Sequence, residues 1–257
     1  MGTALVTGAT AGIGLAFARE LAVRGHDLVL VARTMPRLEE VAAELRSAHG
    51  VGVEVLVADL SFDVETRLVA QRLADSTRPV DLLVNNAGFG LGHGFLDGDL
   101  ADEERALDVM VRAVMVLSHA AARAMRERGH GAIINVSSVS GFVVMSSYSA
   151  VKSFVTVFTE ALANELRGTG VTATALCPGF TRTEFHDRAA MDMSRLPGPL
   201  WLDADRLVRD CLADVARGRV LSVPGPAYKA TMALLKVTPR PLVRRVSGAI
   251  GAGRRTR

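Results

Sequence analysis

The chain has 257 residues, 49% of them hydrophobic and 22% charged, which suits one full-sized globular core and excludes a disordered chain. Two cysteines, Cys177 and Cys211, exclude a disulfide-built scaffold and predict a reducing, cytoplasmic setting. The net charge of +3 hides an asymmetry, since residues 215–257 hold ten basic and no acidic side chains, against 20 basic and 27 acidic before them.

A β-type run, Ala4-Leu5-Val6, starts almost at the first residue and predicts no signal peptide. No uninterrupted apolar stretch reaches the roughly 18 residues that a spanning helix needs. Further short apolar runs follow at Leu28–Val31, Val53–Val57, Leu82–Val84, Ala132–Ile134, Val171–Leu176 and Val220–Val223. Each is too short for a helix and apolar on both faces, as a strand covered by helices on either side must be. Helical patterns alternate with them, as in Ile13–Arg24 and Arg37–His49, the latter repeating Leu38, Val41, Ala42 and Leu45 on one face. The alternation predicts an α/β fold: a single-domain, Rossmann-like, doubly wound parallel sheet of about seven strands. Residues 1–225 are expected to form this folded unit, and 226–257 a basic C-terminal tail.

The first strand runs into Thr7-Gly8-Ala9-Thr10-Ala11-Gly12-Ile13-Gly14 at the start of a helix. Glycines there permit a tight turn and close backbone approach, and the free N–H groups of the helix N-terminus favour a pyrophosphate. The spacing Gly-x-x-x-Gly-x-Gly differs from the commoner dinucleotide fingerprint, so the loop's position carries the inference. The second strand ends Val31-Ala32-Arg33, with Arg37 one turn on and no acidic residue. An arginine there suits a 2′-phosphate, which favours NADP(H), NADPH over NADH; a solvated arginine at a helix start is the alternative.

One of only two tyrosines lies in Tyr148-Ser149-Ala150-Val151-Lys152, a spacing that puts phenol and ammonium on one helix face. A neighbouring cation would lower the phenol's pKa toward neutrality and make it a usable proton donor. Lys152 is one of three lysines in an arginine-rich chain, consistent with a need for a compact ammonium. Upstream, Asn135-Val136-Ser137-Ser138 delivers a hydroxyl at the end of the fifth strand.

Together these residues resemble the short-chain dehydrogenases/reductases over roughly residues 3–185. Thr7–Gly14 is similar to the family's cofactor loop, Asp59-Leu60 to its adenine-contacting pair, and Asn85-Asn86-Ala87-Gly88 to the fourth-strand motif beside the cofactor ribose. Pro178-Gly179-Phe180-Thr181-Arg182-Thr183 resembles the motif that holds the nicotinamide carboxamide. The resemblance implies hydride transfer between NADP(H) and a carbonyl or alcohol. Ser138 would position the substrate oxygen, Tyr148 protonate it, and Lys152 bind the nicotinamide ribose and tune Tyr148. The implied cofactor-binding set is Gly8, Thr10, Gly12, Ile13, Gly14, Arg33, Asp59, Leu60, Asn86, Ala87, Gly88, Tyr148, Lys152, Pro178, Gly179, Thr181 and Thr183, with no metal.

Two departures stand out. Met110 occupies the place where the family carries an Asn of a proton relay, and a thioether cannot order a water as an amide can. This opens an alternative, a cofactor-binding regulator or scaffold with impaired catalysis. The interval from Ser138 to Tyr148 is ten residues, about three fewer than is common in the family, so that Gly141–Ser147 must tighten, or Ser137 or Ser140 supply the hydroxyl.

The six histidines show no spacing that suggests a metal site, and Cys177 reads as packing. Phe154, Phe158 and the apolar run Val151–Leu166 suit either a buried helix or the contact of a homodimer or homotetramer. The flap expected over 185–202, with Met191, Met193, Leu196, Leu200 and Trp201, suits either a hydrophobic substrate such as a lipid or acyl chain or a flap that merely packs on its own sheet. The basic tail suits peripheral contact with a membrane, an acidic carrier, or solvent alone. Nucleic acid is not expected, because aromatics are only 5% and do not interleave the arginines.

Overall fold

The computed structural model describes residues 2–185, 197–245 and 247. Seven strands form one sheet: β1 Thr3–Thr7, β2 Asp27–Ala32, β3 Val53–Val57, β4 Leu82–Asn85, β5 Gly131–Val136, β6 Val171–Leu176 and β7 Leu221–Ser222. They are all parallel in the order β3-β2-β1-β4-β5-β6-β7. The chain winds outward from β1 to β3, then restarts beside β1 with β4. The crevice outside the carboxyl ends of β1 and β4 is therefore the topological switch point, where open sheets of this kind take ligands.

Successive strand residues point to opposite faces, and each face has its own core. On one side α1 (Gly12–Val23), α2 (Met35–His49) and α7 (Ala204–Ala216) set Phe17, Leu21, Leu38, Leu45 and Leu207 on Ala4, Val6, Leu28, Leu30 and Val84. On the other, α3 (Asp63–Ala74), α4 (Leu100–Leu107), α5 (Ala113–Arg128) and α6 (Ser147–Glu165) bury Leu73, Leu117, Met125 and Val151 against Leu5, Val29, Leu83 and Ile133. Each such side chain contributes on the order of 1.5–3 kcal/mol. The expected helices over Ile13–Arg24 and Arg37–His49 form with shifted ends, and the run Val220–Val223 pairs over only two residues.

A buried polar ladder crosses the second core. The Asn85 amide donates to Asn135 Oδ1 (2.8 Å) and Ser118 Oγ (3.1 Å), and the Asn135 amide to Thr159 Oγ1 (3.0 Å). It joins β4, α5, β5 and α6, and so fixes the register of α6 against the sheet at little desolvation cost, since its members satisfy one another. After β7, helix α8 (Pro226–Val237) stops just before Pro239, and residues 240–245 are again helical. Among the described residues no helix is long and apolar enough to cross a membrane.

Candidate active site

The glycine loop, Arg33, Ser138, Tyr148 and Lys152 lie at or beyond the carboxyl edge of the sheet. The glycine loop turns between β1 and α1, with Gly8 and Gly12 at φ +65° and +52°, a region that side chains rarely adopt. A Cβ on Gly14 would stand 2.2 Å from the Gly8 carbonyl and 2.4 Å from the Asn86 amide, so only glycine lets the helix start this close to the loop. No side chain caps α1, and Thr10 and Ile13 flank its open end. A loop of free backbone, an uncapped helix N-terminus and no filling side chain fit a dinucleotide pyrophosphate.

Thr7 enters the sequence reading only as the first residue of the loop, with no role of its own, and it holds this arrangement. Its hydroxyl donates to the Val84 carbonyl and accepts from the Asn86 and Ala87 amides at 2.9 and 3.0 Å. The Asn86 carboxamide is spent on the Thr7 and Gly8 carbonyls (3.0 and 3.3 Å), so it locks the loop and leaves backbone to face the crevice. Its place as the last residue of β1 was the available signal. Gly88 is exposed, and a Cβ there would lie 3.0 Å from the Met110 sulfur.

Arg33 projects from the end of β2 with 71% of its side chain exposed, and its guanidinium stands 4.0 Å from the Asp59 carboxylate. Asp59 otherwise accepts from the Ser61 amide and hydroxyl, while Leu60 is buried below it. Arg37 instead pairs with Glu40 at 2.7 Å. Arg33 is therefore the better placed of the two to meet an anion at the strand end.

Ser138 opens a 3-10 turn over Val139–Phe142, which takes up the shortened interval to Tyr148. The turn lies on α6 so closely that a Cβ on Gly141 would stand 2.8 Å from the Lys152 backbone. The Ser138 hydroxyl accepts from the Ser140 amide (3.1 Å) and faces the Pro178 carbonyl (3.5 Å). Ser137 is buried and bonded to the Lys152 carbonyl (2.7 Å) and Thr156 (2.6 Å), which removes it as an accessible hydroxyl.

Tyr148 and Lys152 share one face of α6, with the ammonium 5.6 Å from the centre of the phenol ring. One ammonium proton goes to the Val136 carbonyl at 2.9 Å, which leaves two donors to be aimed elsewhere. The expected lowering of the Tyr148 pKa is not what this geometry produces. Burial pushes the phenol above its ordinary value and pushes Lys152 down to about 8. The charge is held by a carbonyl and set over the ring, and desolvation alone moves the hydroxyl.

Pro178 and Thr181 are buried, Thr181 bonding the Gly179 carbonyl (3.0 Å). Thr183 reaches across the crevice to the glycine loop, where a Cβ on Gly12 would lie 3.2 Å from the Thr183 Cβ. Behind this segment stands Tyr228 of α8, also missed from sequence. Its hydroxyl accepts from the Phe180 amide (3.1 Å) and donates to the Leu200 carbonyl (2.7 Å). Phe185 lies 6.0 Å from the Tyr148 ring, and Phe180 6.3 Å from Trp201. Met191, Met193 and Leu196 of the expected flap lie outside the described residues.

Other expectations resolve simply. Cys177 and Cys211 are buried and free. Phe154 and Phe158 stack on each other at 5.8 Å, with Phe154 and Val157 exposed on the outer side of α6. A cavity of about 370 Å³ between Gly12, Ala16, Arg182 and Asp205 adjoins the glycine loop but is not lined by Ser138, Tyr148 or Lys152. The reacting groups belong to the strand edge.

Known proteins resemble this chain in sequence and fold. The family model described as short chain dehydrogenase matches residues 2–193. Galactitol 2-dehydrogenase (L-tagatose-forming) of Cereibacter sphaeroides is 40% identical over 186 residues, covering 70% of this chain and 72% of that one. A short-chain dehydrogenase from Sphingobium yanoikuyae, solved in complex with NADPH, matches with a TM-score of 0.85 and 37% identity over 92% of each chain. The bulky-bulky ketone specific alcohol dehydrogenase of Comamonas testosteroni matches with a TM-score of 0.79 and 30% identity, over 93% of this chain and 96% of that one.

Proposed function

The chain belongs to the short-chain dehydrogenase/reductase family, and from that membership we propose that it is an NADPH-dependent reductase of bulky, hydrophobic ketones or aldehydes. It is an oxidoreductase that moves hydride between NADP(H) and the carbonyl or hydroxyl carbon of a small molecule. A non-catalytic cofactor binder is not favoured beside relatives named for their dehydrogenase activity.

NADP(H), when bound, supplies the hydride. Gly8, Thr10, Gly12, Ile13 and Gly14 would hold its pyrophosphate and Arg33 its 2′-phosphate. Asp59 and Leu60 would flank the adenine, Asn86, Ala87 and Gly88 a ribose, and Pro178, Gly179, Thr181 and Thr183 the carboxamide. The Ser138 hydroxyl orients the substrate oxygen. Tyr148, kept protonated by burial, donates its proton to that oxygen. Lys152 uses the two donors not given to Val136 to hold the nicotinamide ribose and to stabilise the phenolate left behind.

The observation that carries this reading is convergence at one sheet edge: an uncapped glycine loop, a strand-end serine, and a tyrosine and lysine on one face of α6. The hydrophobic substrate is supported by apolar side chains exposed on loops at that edge, namely Phe95, Leu96, Val144 and Met145. The relatives act on substrates as unlike as galactitol and bulky ketones, so the loops and not the shared scaffold must choose.

We further take residues 1–225, with the flap at 185–202, as the catalytic unit and 226–257 as its basic extension, in a cytoplasmic protein whose cysteines stay reduced. Exposed Phe154 and Val157 on α6 and Met115 on α5 support a homodimer or homotetramer through those helices. The test is NADPH consumption with a panel of bulky ketones and 3-oxoacyl esters, wild type against Tyr148→Phe. We expect turnover to fall by at least about a hundredfold in the variant with NADPH binding kept; undiminished turnover would overturn the assignment of Tyr148 as the acid.

A further inference from the structure

We propose that the outward face of α8 docks on an anionic lipid bilayer. An ordinary surface helix turns its polar side chains to water. Here the inner face is Tyr228 and Met232, both buried, while Ala230, Ala233, Leu234 and Val237 look outward, Leu234 at 65% and Val237 at 78% exposure. Leu242 follows at 50%. Lys229 on the same helix and Arg240, Arg244 and Arg245 in the segment that follows it are exposed, and no acidic residue occurs anywhere in 215–257.

An exposed apolar stripe in a stretch of chain that is basic and holds no acidic residue is the pattern that seats a helix in a headgroup layer. The side chains enter the acyl boundary, and the basic groups meet lipid phosphates. A second copy of the chain is a poor occupant. A two-fold contact would bring the same basic surface against itself, with like charges opposed.

The location gives docking a consequence. Through Tyr228 the inner side of α8 is bonded to Phe180 and Leu200, and the Val144 amide is bonded to the Ser247 hydroxyl (3.4 Å). The extension therefore sits over the substrate edge of the sheet, and its docked face would bring that edge to the membrane surface. The docking itself does not depend on the catalytic reading and is tested without turnover.

The experiment is co-sedimentation of the full chain at low salt with vesicles of phosphatidylglycerol and phosphatidylcholine, and with phosphatidylcholine alone. We expect retention on the anionic vesicles only, released as salt screens the charges. Leu234→Glu combined with Val237→Glu should weaken binding roughly a hundredfold, the effect of removing two apolar anchors. Arg244→Glu with Arg245→Glu is a second variant that keeps the apolar face, and it should abolish the preference for anionic lipid. Unchanged thermal unfolding would show that both variants fold. Lack of retention, or retention indifferent to both variants, overturns the proposal. So does a change of mass by light scattering in the first variant without loss of vesicle binding, which would give the face to a second copy. Capture by an acidic acyl carrier protein, with none by vesicles, would likewise overturn it.

Discussion

The ring of Tyr228 fills the space that Gly179 leaves open, for a Cβ at position 179 would stand 2.1 Å from the ring. Glycine here is a packing requirement. The ring's fit lets the hydroxyl bridge the Phe180 amide and the Leu200 carbonyl, and so tie α8 to the segment after β6.

Two substitutions should separate the ring from the hydroxyl. Tyr228→Phe keeps the packing but leaves a peptide N–H and a carbonyl without their partner, at a cost of about 1–3 kcal/mol. Gly179→Ala forces the ring itself to move, and overpacking of this kind costs a similar amount. Both should lower the unfolding midpoint and raise KM for the cofactor more than they lower kcat. Combining Gly179→Ala with Tyr228→Ala should cost less than the sum of the single changes, because the clash disappears with the ring. Strict additivity in thermal unfolding would contradict the contact.

The pH dependence follows from the opposed shifts at Tyr148 and Lys152. Burial holds Tyr148 above its ordinary value of 10.0, so it stays protonated through mild alkali, while Lys152 has lost half its protons at about 8. In the direction of reduction both groups must carry their protons. kcat/KM should be level below about pH 7 and fall through its half-value near pH 8 with the charge on Lys152. Lys152→Arg keeps a charge at every accessible pH, so its profile should stay level further into alkali, whatever its absolute rate. Stability moves the other way. Lys152 binds its proton less tightly folded, at about 8, than at the unfolded value of 10.5, so the unfolded state holds more protons between them and stability rises with pH across that window. A reduction rate that climbs between pH 8 and 10 would rule this out.

Much of this site was legible because its signals are local. The alternation of runs gave the parallel sheet, and the glycine loop, Arg33, and the Tyr148–Lys152 spacing each sit within one element and its neighbour. What escaped depends on distance along the chain. Thr7 bonds to residues almost 80 positions away, and Tyr228 to Phe180 across 48. Periodicity and short spacing carry no trace of such pairs. The direction of the Tyr148 shift was also out of reach. A neighbouring cation can be read from a spacing of four, whereas the burial that moves the hydroxyl depends on the packing of the whole edge.

Arg33 lends itself to a test that separates binding from folding. Its pairing with Asp59 is long, at 4.0 Å, and the side chain is mostly exposed, so removal should leave the unfolding midpoint almost unchanged. Arg33→Ala should raise KM for NADPH roughly ten- to a hundredfold, through loss of a charge-assisted contact to the 2′-phosphate, and leave KM for NADH nearly as it was. Equal losses for both cofactors would mean that Arg33 shapes the strand end and does not read the phosphate.

Met110 sits in a π-helical turn, Asp108–Arg112, where α4 passes into α5, and it is only 1% exposed. Its side chain belongs to the core that contains Leu83, Leu117 and Val151, and its sulfur borders Gly88. Such wide turns interrupt the helical ladder and recur at functional positions. An amide placed there would give up apolar burial and need hydrogen-bond partners within that core. Met110→Asn should therefore cost about 2–4 kcal/mol of stability, whereas Met110→Leu, which keeps volume and polarity, should cost less than about 1.5 kcal/mol. Lys152 is anchored by the Val136 carbonyl, so its placement does not need a side chain at position 110. For that reason we expect kcat of Met110→Asn to stay within about threefold of wild type, measured below its lowered unfolding midpoint. A gain of tenfold or more would show instead that proton delivery to Lys152 limits the native enzyme, and that methionine at this turn is what limits it.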